Sequence, residues 1–409
     1  MKNQNKRILH VESFGPVSEA NIEIRQFNLF IGEQSIGKST IAKLITIFTD
    51  YFTLWGVVAR KRKYWEKVLD SYDLKAYEKE DTIINYEEYC GDIHIKVNIG
   101  VTVFETSVHK KGKLITDEAD VFANIVATKP FFHPDSNEKL SAVLNKEGGL
   151  IKPDFFNLIR NSLYIPAERI VGAQLTKLLP IMSMAKEQIP NNLLRFISEL
   201  SNSKEIYKTY EANILKLTYK KQSEDEYIIV SGNNKKIPLK LASSGVQSTL
   251  PLLLVTKYGV DEREYASFVV EEPECNLFPA KQVEILQFLI IQTYAQNRML
   301  TITTHSPYLL SALNNYLYAG VISKGMDKEK LDDLREIISD DLWLDTEKCA
   351  IYSLGEDINK GKYCISLLDA ETGLIDYNYL DGISLKMGDE FSQLNHLYIL
   401  NERSKRKKI

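Results

Sequence analysis

The chain has 409 residues, of which 44% are hydrophobic and 26% charged, and its formal net charge is -4. Those values suit a globular protein of two or three domains and exclude a global electrostatic pull towards nucleic acid or membrane, so any DNA contact must come from a local patch. Four scattered cysteines (Cys90, Cys275, Cys349, Cys364) form no CxxC pair and the six histidines are isolated, which argues against a zinc module or a disulfide framework and fits a reducing, cytoplasmic setting.

In chain order, "RILHVESF", "ANIEIRQ" and "FNLFIG" read as strands, and the start "MKNQNKRILHVESF" lacks the apolar stretch of a signal peptide. "KSTIAKLITIFTDYF" keeps apolar residues at helical spacing through Ile41, Leu44, Ile45 and Ile47. "VVARKRKYWEKVLDSYDLKAYEKE" reads as a charged helix, "DIHIKVNIGVTVFETSVHKKGKLI" as strands with turns, and "NSLYIPAERI" as a strand ended by proline. Residues 172–222 are expected to be mainly helical, with Leu193, Ile197 and Leu200 buried. "EYIIVSG" and "KKIPLKL" suggest a hairpin, and "GVQSTLPLLLVTKY" a buried helix. Buried strands "ASFVVEEPE" and "MLTITTHSP" then alternate with the helices "AKQVEILQFLIIQTYAQN" and "YLLSALNN", the pattern of a parallel sheet covered by helices. A charged helix, "MDKEKLDDLREII", two further strands and a basic tail, "RSKRKK", close the chain. The longest apolar runs fall far short of the ~20 residues that span a bilayer, so no membrane partner is expected.

Chemistry concentrates in four places. "GEQSIGKST" (Gly32, Glu33, Gln34, Ser35, Ile36, Gly37, Lys38, Ser39, Thr40) fits G-x-x-x-x-G-K-[ST] between a strand and a helix. Its glycines permit a tight turn whose N–H groups converge on an anion, and the helix start adds its dipole there. Lys38 can reach β- and γ-phosphates and the Ser39 hydroxyl can ligate Mg²⁺. The plainer alternative, a turn with a solvated lysine, is disfavoured by the strand–loop–helix setting. "FVVEEPE" places Glu271 and Glu272 at the end of a buried strand, where α/β sheets hold their ligands. Glu271 is the candidate Mg²⁺ ligand through water, and Glu272 the candidate base for the attacking water. "LASSGVQS" (Ser243, Ser244, Gly245, Gln247) is a second small-residue loop at a helix start. His305, just past another buried strand, can hydrogen-bond a γ-phosphate.

The set "GEQSIGKST", "LASSGVQS", "FVVEEPECNLFP" and "ITTHSPYLL", in that order, resembles the RecF- and SMC-like branch of ABC ATPases. It looks nearest to the ATPase part of OLD-family proteins and their stand-alone relatives in phage defence, such as PARIS- and Septu-like systems. The resemblance implies an α/β P-loop NTPase with an ABC-ATPase-like head, a mixed sheet, helical insertions and a small α+β C-terminal extension. It divides the chain into a P-loop part (1–56), an insertion (57–160), a Q-loop-like strand and helical lobe (161–240), a part carrying signature loop, Walker B acids and switch histidine (241–320), and the extension (321–409). It implies a head-to-head homodimer with two ATPs, where Ser243, Ser244, Gly245 and Gln247 act on the partner's nucleotide and Asn276 lies in the facing turn. "YIPAERI" looks like the strand before the Q-loop, with Glu168, Arg169 and Gln174 as alternatives for that role.

Two features depart from the family. The segment after His305 has no Asp-x-Asp pair, so it does not resemble the metal-binding TOPRIM nuclease domain of OLD proteins, and no long coiled coil supports SMC-like tethering. By resemblance, the chain is then an ATPase and sensor subunit controlling a separate effector, a nuclease or toxin. The alternative is a RecF-like DNA-binding ATPase. For it, "RKRKYWEK" mixes cations with aromatics, although a charge run on a helix is usually a solvated face.

Overall fold

In the computed structural model, the described residues are 6–117, 120–121, 125, 162–175, 190–223, 225–232, 235–355, 363–375 and 392–393. The basic tail at 403–408 and most of 118–161 lie outside them. Strands β1 (Lys6–Phe14) and β2 (Val17–Ile24) form an antiparallel pair, and β3 (Phe27–Gly32) follows directly. Alternating buried and exposed positions in β1 and β2 mark a sheet covered on one face, whereas every residue of β3 is buried, as expected for a central strand.

Helix α1 (Lys38–Thr49) leaves β3 through the glycine loop. It stops at Asp50, whose carboxylate accepts from the Thr53 N–H at 2.9 Å and starts α2 (Tyr51–Ser71). An Asp at a helix start satisfies an otherwise orphaned N–H, so the single sequence-predicted helix over 38–52 is two, bent by 79°. No single helix among the described residues is long and apolar enough to cross a membrane. Strands β4 (Ile83–Cys90), β5 (Ile93–Gly100), β6 (Phe104–Lys110) and β7 (Lys113–Ile115) continue the first sheet, in the order β2-β1-β4-β5-β6-β7. The 57–160 segment therefore shares a sheet with the N-terminal strands. Trp65, Phe48 and Tyr86 lie in the core between that sheet and α1 and α2, with Phe48 stacked on Tyr86 at 4.7 Å.

Strand β8 (Ser162–Ile165), the short α3 (Ile170–Leu175) and α4 (Asn191–Ile206) come next. A four-stranded antiparallel sheet follows: β9 (Thr209–Ala212), β10 (Leu217–Gln222), β11 (Asp225–Val230) and β12 (Lys236–Pro238). The expected β11–β12 hairpin is present, with Tyr227 opposite Pro238. Residues 209–222, expected to be helical, are mostly strand. In "KLTYKKQ", Leu217 and Tyr219 are buried on one face and alternate with more open residues, a period of two that is too short to register in a wide window.

Helix α5 (Ser244–Asp261), β13 (Ser267–Glu271), α6 (Pro279–Gln292), β14 (Met299–Thr304), α7 (Pro307–Ser323) and α8 (Lys328–Ile337) lead to β15 (Cys349–Leu354) and β16 (Cys364–Ser366). The central sheet runs β16-β15-β3-β14-β13-β8. Only the β15–β16 pair is antiparallel, so the sheet is mixed and the α/β class holds. Two cores flank it. One lies under α1, α2 and the first sheet; the other is built from α4, α5, α6 and α7. Because β15 pairs with β3 in parallel, the 321–409 segment contributes a strand directly beside the P-loop strand.

Candidate nucleotide site

Strands β3, β13 and β14 are neighbours and run parallel, so the loops leaving their carboxyl ends emerge together. Three of the four motifs read from sequence meet there. Gly37 caps α1 with φ 96°, a left-handed value that favours glycine. A Cβ on it would stand 2.8 Å from the Tyr363 hydroxyl and from a Val17 methyl. Tyr363 also donates to the Ile36 carbonyl. The loop is thus held from the β15–β16 side by a tyrosine that no motif flagged. Glu33, Gln34, Ser35 and Ser39 are exposed, Ile36 is half-buried, and Lys38 and Thr40 are buried.

The Lys38 ammonium donates to the carbonyls of Gly32 (2.9 Å) and Glu33 (2.6 Å) and lies 3.5 Å from His305 Nδ1. Burial lowers its pKa to about 8, against the opposing pull of Glu272, Glu274 and Glu271. On the other side of the imidazole, His305 Nε2 is 3.1 Å from Glu272 Oε1. With Lys38 donating to Nδ1, the proton belongs on Nε2, which donates to Glu272. The pairing with His305 is the largest of the influences that hold the Glu272 carboxyl down, at about 2. Cys275 Sγ lies 3.1 Å from its other oxygen.

Glu271 is 4% exposed. Burial raises its pKa, while the nearby Ser39 and Tyr164 hydroxyls pull it down. Its Oε1 has no hydrogen-bond partner among the described residues. An orphaned carboxylate oxygen beside an exposed serine hydroxyl at a helix start suits a hard divalent cation such as Mg²⁺. No group of three acidic, histidine or cysteine side chains among the described residues could hold a metal alone, so such an ion would arrive with the phosphates rather than in a protein cage.

Two charged residues, one not singled out in the sequence and one left among alternatives, have clear places. Glu274 is buried, and its Oε1 accepts from the Thr304 hydroxyl at 2.6 Å and from the His305 N–H at 2.8 Å. It fixes the backbone that presents the histidine. Arg169, one of the three alternatives for a nucleotide-side role, is fully buried and donates to the carbonyls of Glu271, Glu272 and Pro166. Glu168 is exposed; Gln174 falls in α3, with its side chain outside the described residues.

The fourth motif packs against the turn that follows the acidic pair. Among the described residues, no hydrogen bond joins Ser243, Ser244 or Gly245 to the 32–40 loop. Ser243 and Ser244 are exposed, and Gly245 is packed so that a Cβ would meet the Asn276 carbonyl oxygen at 2.8 Å. Gln247 is buried and spends its amide on its own loop, donating to Ala242 (2.7 Å) and Lys240 (3.1 Å). A concavity of about 850 Å³ lies on the first sheet, lined by Ile8, His10, Asn85 and Asn98 and by none of these groups.

Residues 173–310 match the model of a family described as an AAA ATPase domain. The matched stretch contains Glu271, Glu272, His305 and the 243–247 loop, and the P-loop precedes it. That stretch of the α/β fold is therefore similar to an ATPase domain. Among solved structures that match is one titled "Crystal structure of the SmcHead bound to the C-winged helix domain of ScpA", 13% identical, covering 76% of this chain and 92% of that one with a TM-score of 0.39. No curated protein matches the chain.

Proposed function

We propose that the protein binds ATP with Mg²⁺ at the 32–40 loop and hydrolyses it, using Glu272 as the base. The observation that carries this reading is the continuous line Lys38–His305–Glu272, set beside Glu271 with its unpartnered oxygen. Ser39 and Glu271 would hold the ion, which when bound shields phosphate charge from the attacking oxygen. Lys38 exchanges two backbone carbonyls for phosphate oxygens, a stronger charge-assisted pairing. Glu272 takes the proton of the attacking water. His305 would sense a γ-phosphate, a role supported by its contacts with both the phosphate-binding lysine and the base.

The reading extends to a dimer. Ser243 and Ser244 are exposed and make no bond to their own P-loop, as expected of groups that serve a second copy. Large apolar side chains close in the chain to the same motifs are exposed: Leu241 is 70% exposed, Phe278 77% and Tyr308 49%. Exposed apolar groups of this kind are what an interface would cover. The dimer would act as a slow regulatory ATPase controlling a separate effector, a nuclease or toxin, in a cytoplasmic anti-phage system. A direct DNA role has less support, because three cations of the basic stretch are engaged within the chain. Arg62 pairs with Glu78 at 2.9 Å and Glu66 at 3.7 Å, Lys61 donates to Thr106, and Arg60 lies over Trp55.

Glu272→Gln tests the core of this proposal. It removes the base without changing shape, so phosphate release should fall by about 10²-fold or more while an ATP-dependent dimer persists in light scattering. Normal turnover by this variant would remove Glu272 from the mechanism.

A further inference from the structure

Strand β8 pairs with β13 in register from Ser162–Ser267 to Ile165–Val270. The next step of the ladder would set residue 166 against Glu271. Residue 166 is a proline, which has no N–H to give. The β13 carbonyls therefore lose their partner strand at the point where the chain delivers its two acids. On the opposite side the ladder persists, with Glu272 N–H donating to the Thr303 carbonyl at 2.9 Å.

Arg169 fills the gap. After Pro166 a single 3-10 turn (Ala167–Arg169) folds the guanidinium back beneath its own strand end. One terminal nitrogen donates to the Glu271 carbonyl at 2.7 Å and to the Pro166 carbonyl at 3.2 Å, and the other donates to the Glu272 carbonyl at 2.6 Å. The side chain is entirely removed from solvent. Among the described residues no carboxylate pairs with it, although Glu271, Glu272 and Glu274 all lie within electrostatic reach. An arginine fully buried to bind only carbonyls is an expensive arrangement, and a planar fork with several donors is what three converging carbonyls require. The residue it grips is itself strained: Glu272 has φ 41°, left-handed for a side chain other than glycine, which costs on the order of 1–3 kcal/mol unless the surroundings impose it.

We infer that Arg169 is the positioning residue for the hydrolytic acid: it holds the carbonyls of Glu271 and Glu272 so that the Glu272 carboxylate faces His305 and the phosphate loop. This rests on the proposed ATPase reading and assigns Arg169 no contact with nucleotide. It also ties the Pro166–Arg169 turn directly to the backbone of the base.

The test compares Arg169→Met, which keeps the length and removes the fork, with Arg169→Lys, which keeps charge without the planar geometry. Each is measured for binding of a fluorescent ATP analogue by anisotropy, for phosphate release, and for folding by circular dichroism. Binding should stay within about threefold of wild type, because the 32–40 loop is untouched, while kcat falls by about 10²-fold in the methionine variant, the usual cost of a misplaced catalytic group. The lysine variant should recover only part of that loss. In the Glu272→Gln background, Arg169→Met should cause little further loss, since Arg169 acts through that side chain. Should the methionine variant fail to fold, the lysine variant decides the matter: wild-type kcat would overturn the inference, and a selective fall in kcat would uphold it. Equal losses in binding and kcat, or full additivity with Glu272→Gln, would also overturn it. Failure of wild-type protein to bind the analogue, or Lys38→Ala binding it normally, would instead remove the ATPase reading beneath it.

Discussion

The lowered pKa of Lys38 makes nucleotide affinity depend on pH in a defined direction. Its ammonium is buried against the carbonyls of Gly32 and Glu33, and loss of water brings its pKa to about 8. Phosphate oxygens would supply the counter-charge that those neutral carbonyls cannot, restoring the pKa towards its usual value. Binding should therefore take up a proton above pH ~8, and affinity should fall as pH rises through that value. With a free pKa of about 8, roughly nine-tenths of the lysine is charged at pH 7 and one-tenth at pH 9, so the association constant should drop by about tenfold, or ~1.4 kcal/mol. Titration calorimetry at pH 9 in buffers of different ionisation enthalpy should show uptake approaching one proton per nucleotide. Lys38→Arg, permanently charged, should abolish the trend whatever its affinity. The same linkage acts on folding. A lysine whose folded pKa is depressed destabilises the fold while protonated, so stability should rise with pH between about 8 and 10.5. Affinity that is flat from pH 7 to 9, with no proton uptake, would refute the account of this lysine.

Trp65→Ala removes a fully buried indole from the core that stacks Phe48 on Tyr86 and should cost about 3–5 kcal/mol in denaturant unfolding. Gly245→Ala drives a methyl towards the Asn276 carbonyl; turnover should fall while monomeric ATP-analogue binding is retained, and unchanged turnover would show that this contact is slack. Ser306→Ala removes the cap of α7 and the partner of Gln282 and should cost about 1 kcal/mol by thermal melting, with reduced turnover because His305 is adjacent. Glu274→Gln keeps the size but weakens the hold on Thr304 and the His305 N–H, so kcat should fall with little change in analogue affinity.

The phosphate loop, the acidic pair and the histidine were legible because each uses residue types that carry chemistry at a strand or helix end. The loop's glycines and the run of apolar residues before it define a local event, complete within a dozen positions. The sheet that assembles them was not legible. Strand β3 lies between β14 and β15, and pairings across some 270 or 320 residues leave no periodic mark in either partner. The short strands β9 and β10 failed for a related reason: two buried residues, Leu217 and Tyr219, are too few to outweigh neighbouring helical pattern. The break at Asp50 was missed because the apolar spacing runs straight through it. Arg169 and Gln247 show the limit most clearly. The sequence offers Arg169 as one of three alternatives for the Q-loop role and Gln247 for the partner's nucleotide; it gives no sign that Arg169 donates to three carbonyls or that Gln247 donates to its own loop. The direction of a side chain depends on which strand has ended beside it, and that is fixed by tertiary structure.

The proposed sharing of each nucleotide by two copies can be checked by mixing two inactive variants. Lys38→Ala disables the phosphate loop, and Ser244→Arg places a bulky cation on the exposed second loop without disturbing the Gly245–Asn276 packing. Each alone should be inactive. An equal mixture should recover about a quarter of wild-type turnover, because half of randomly formed dimers are mixed and each retains one intact composite site. No recovery at any ratio, with mixed dimers demonstrated by a tag on one variant, would contradict the shared site.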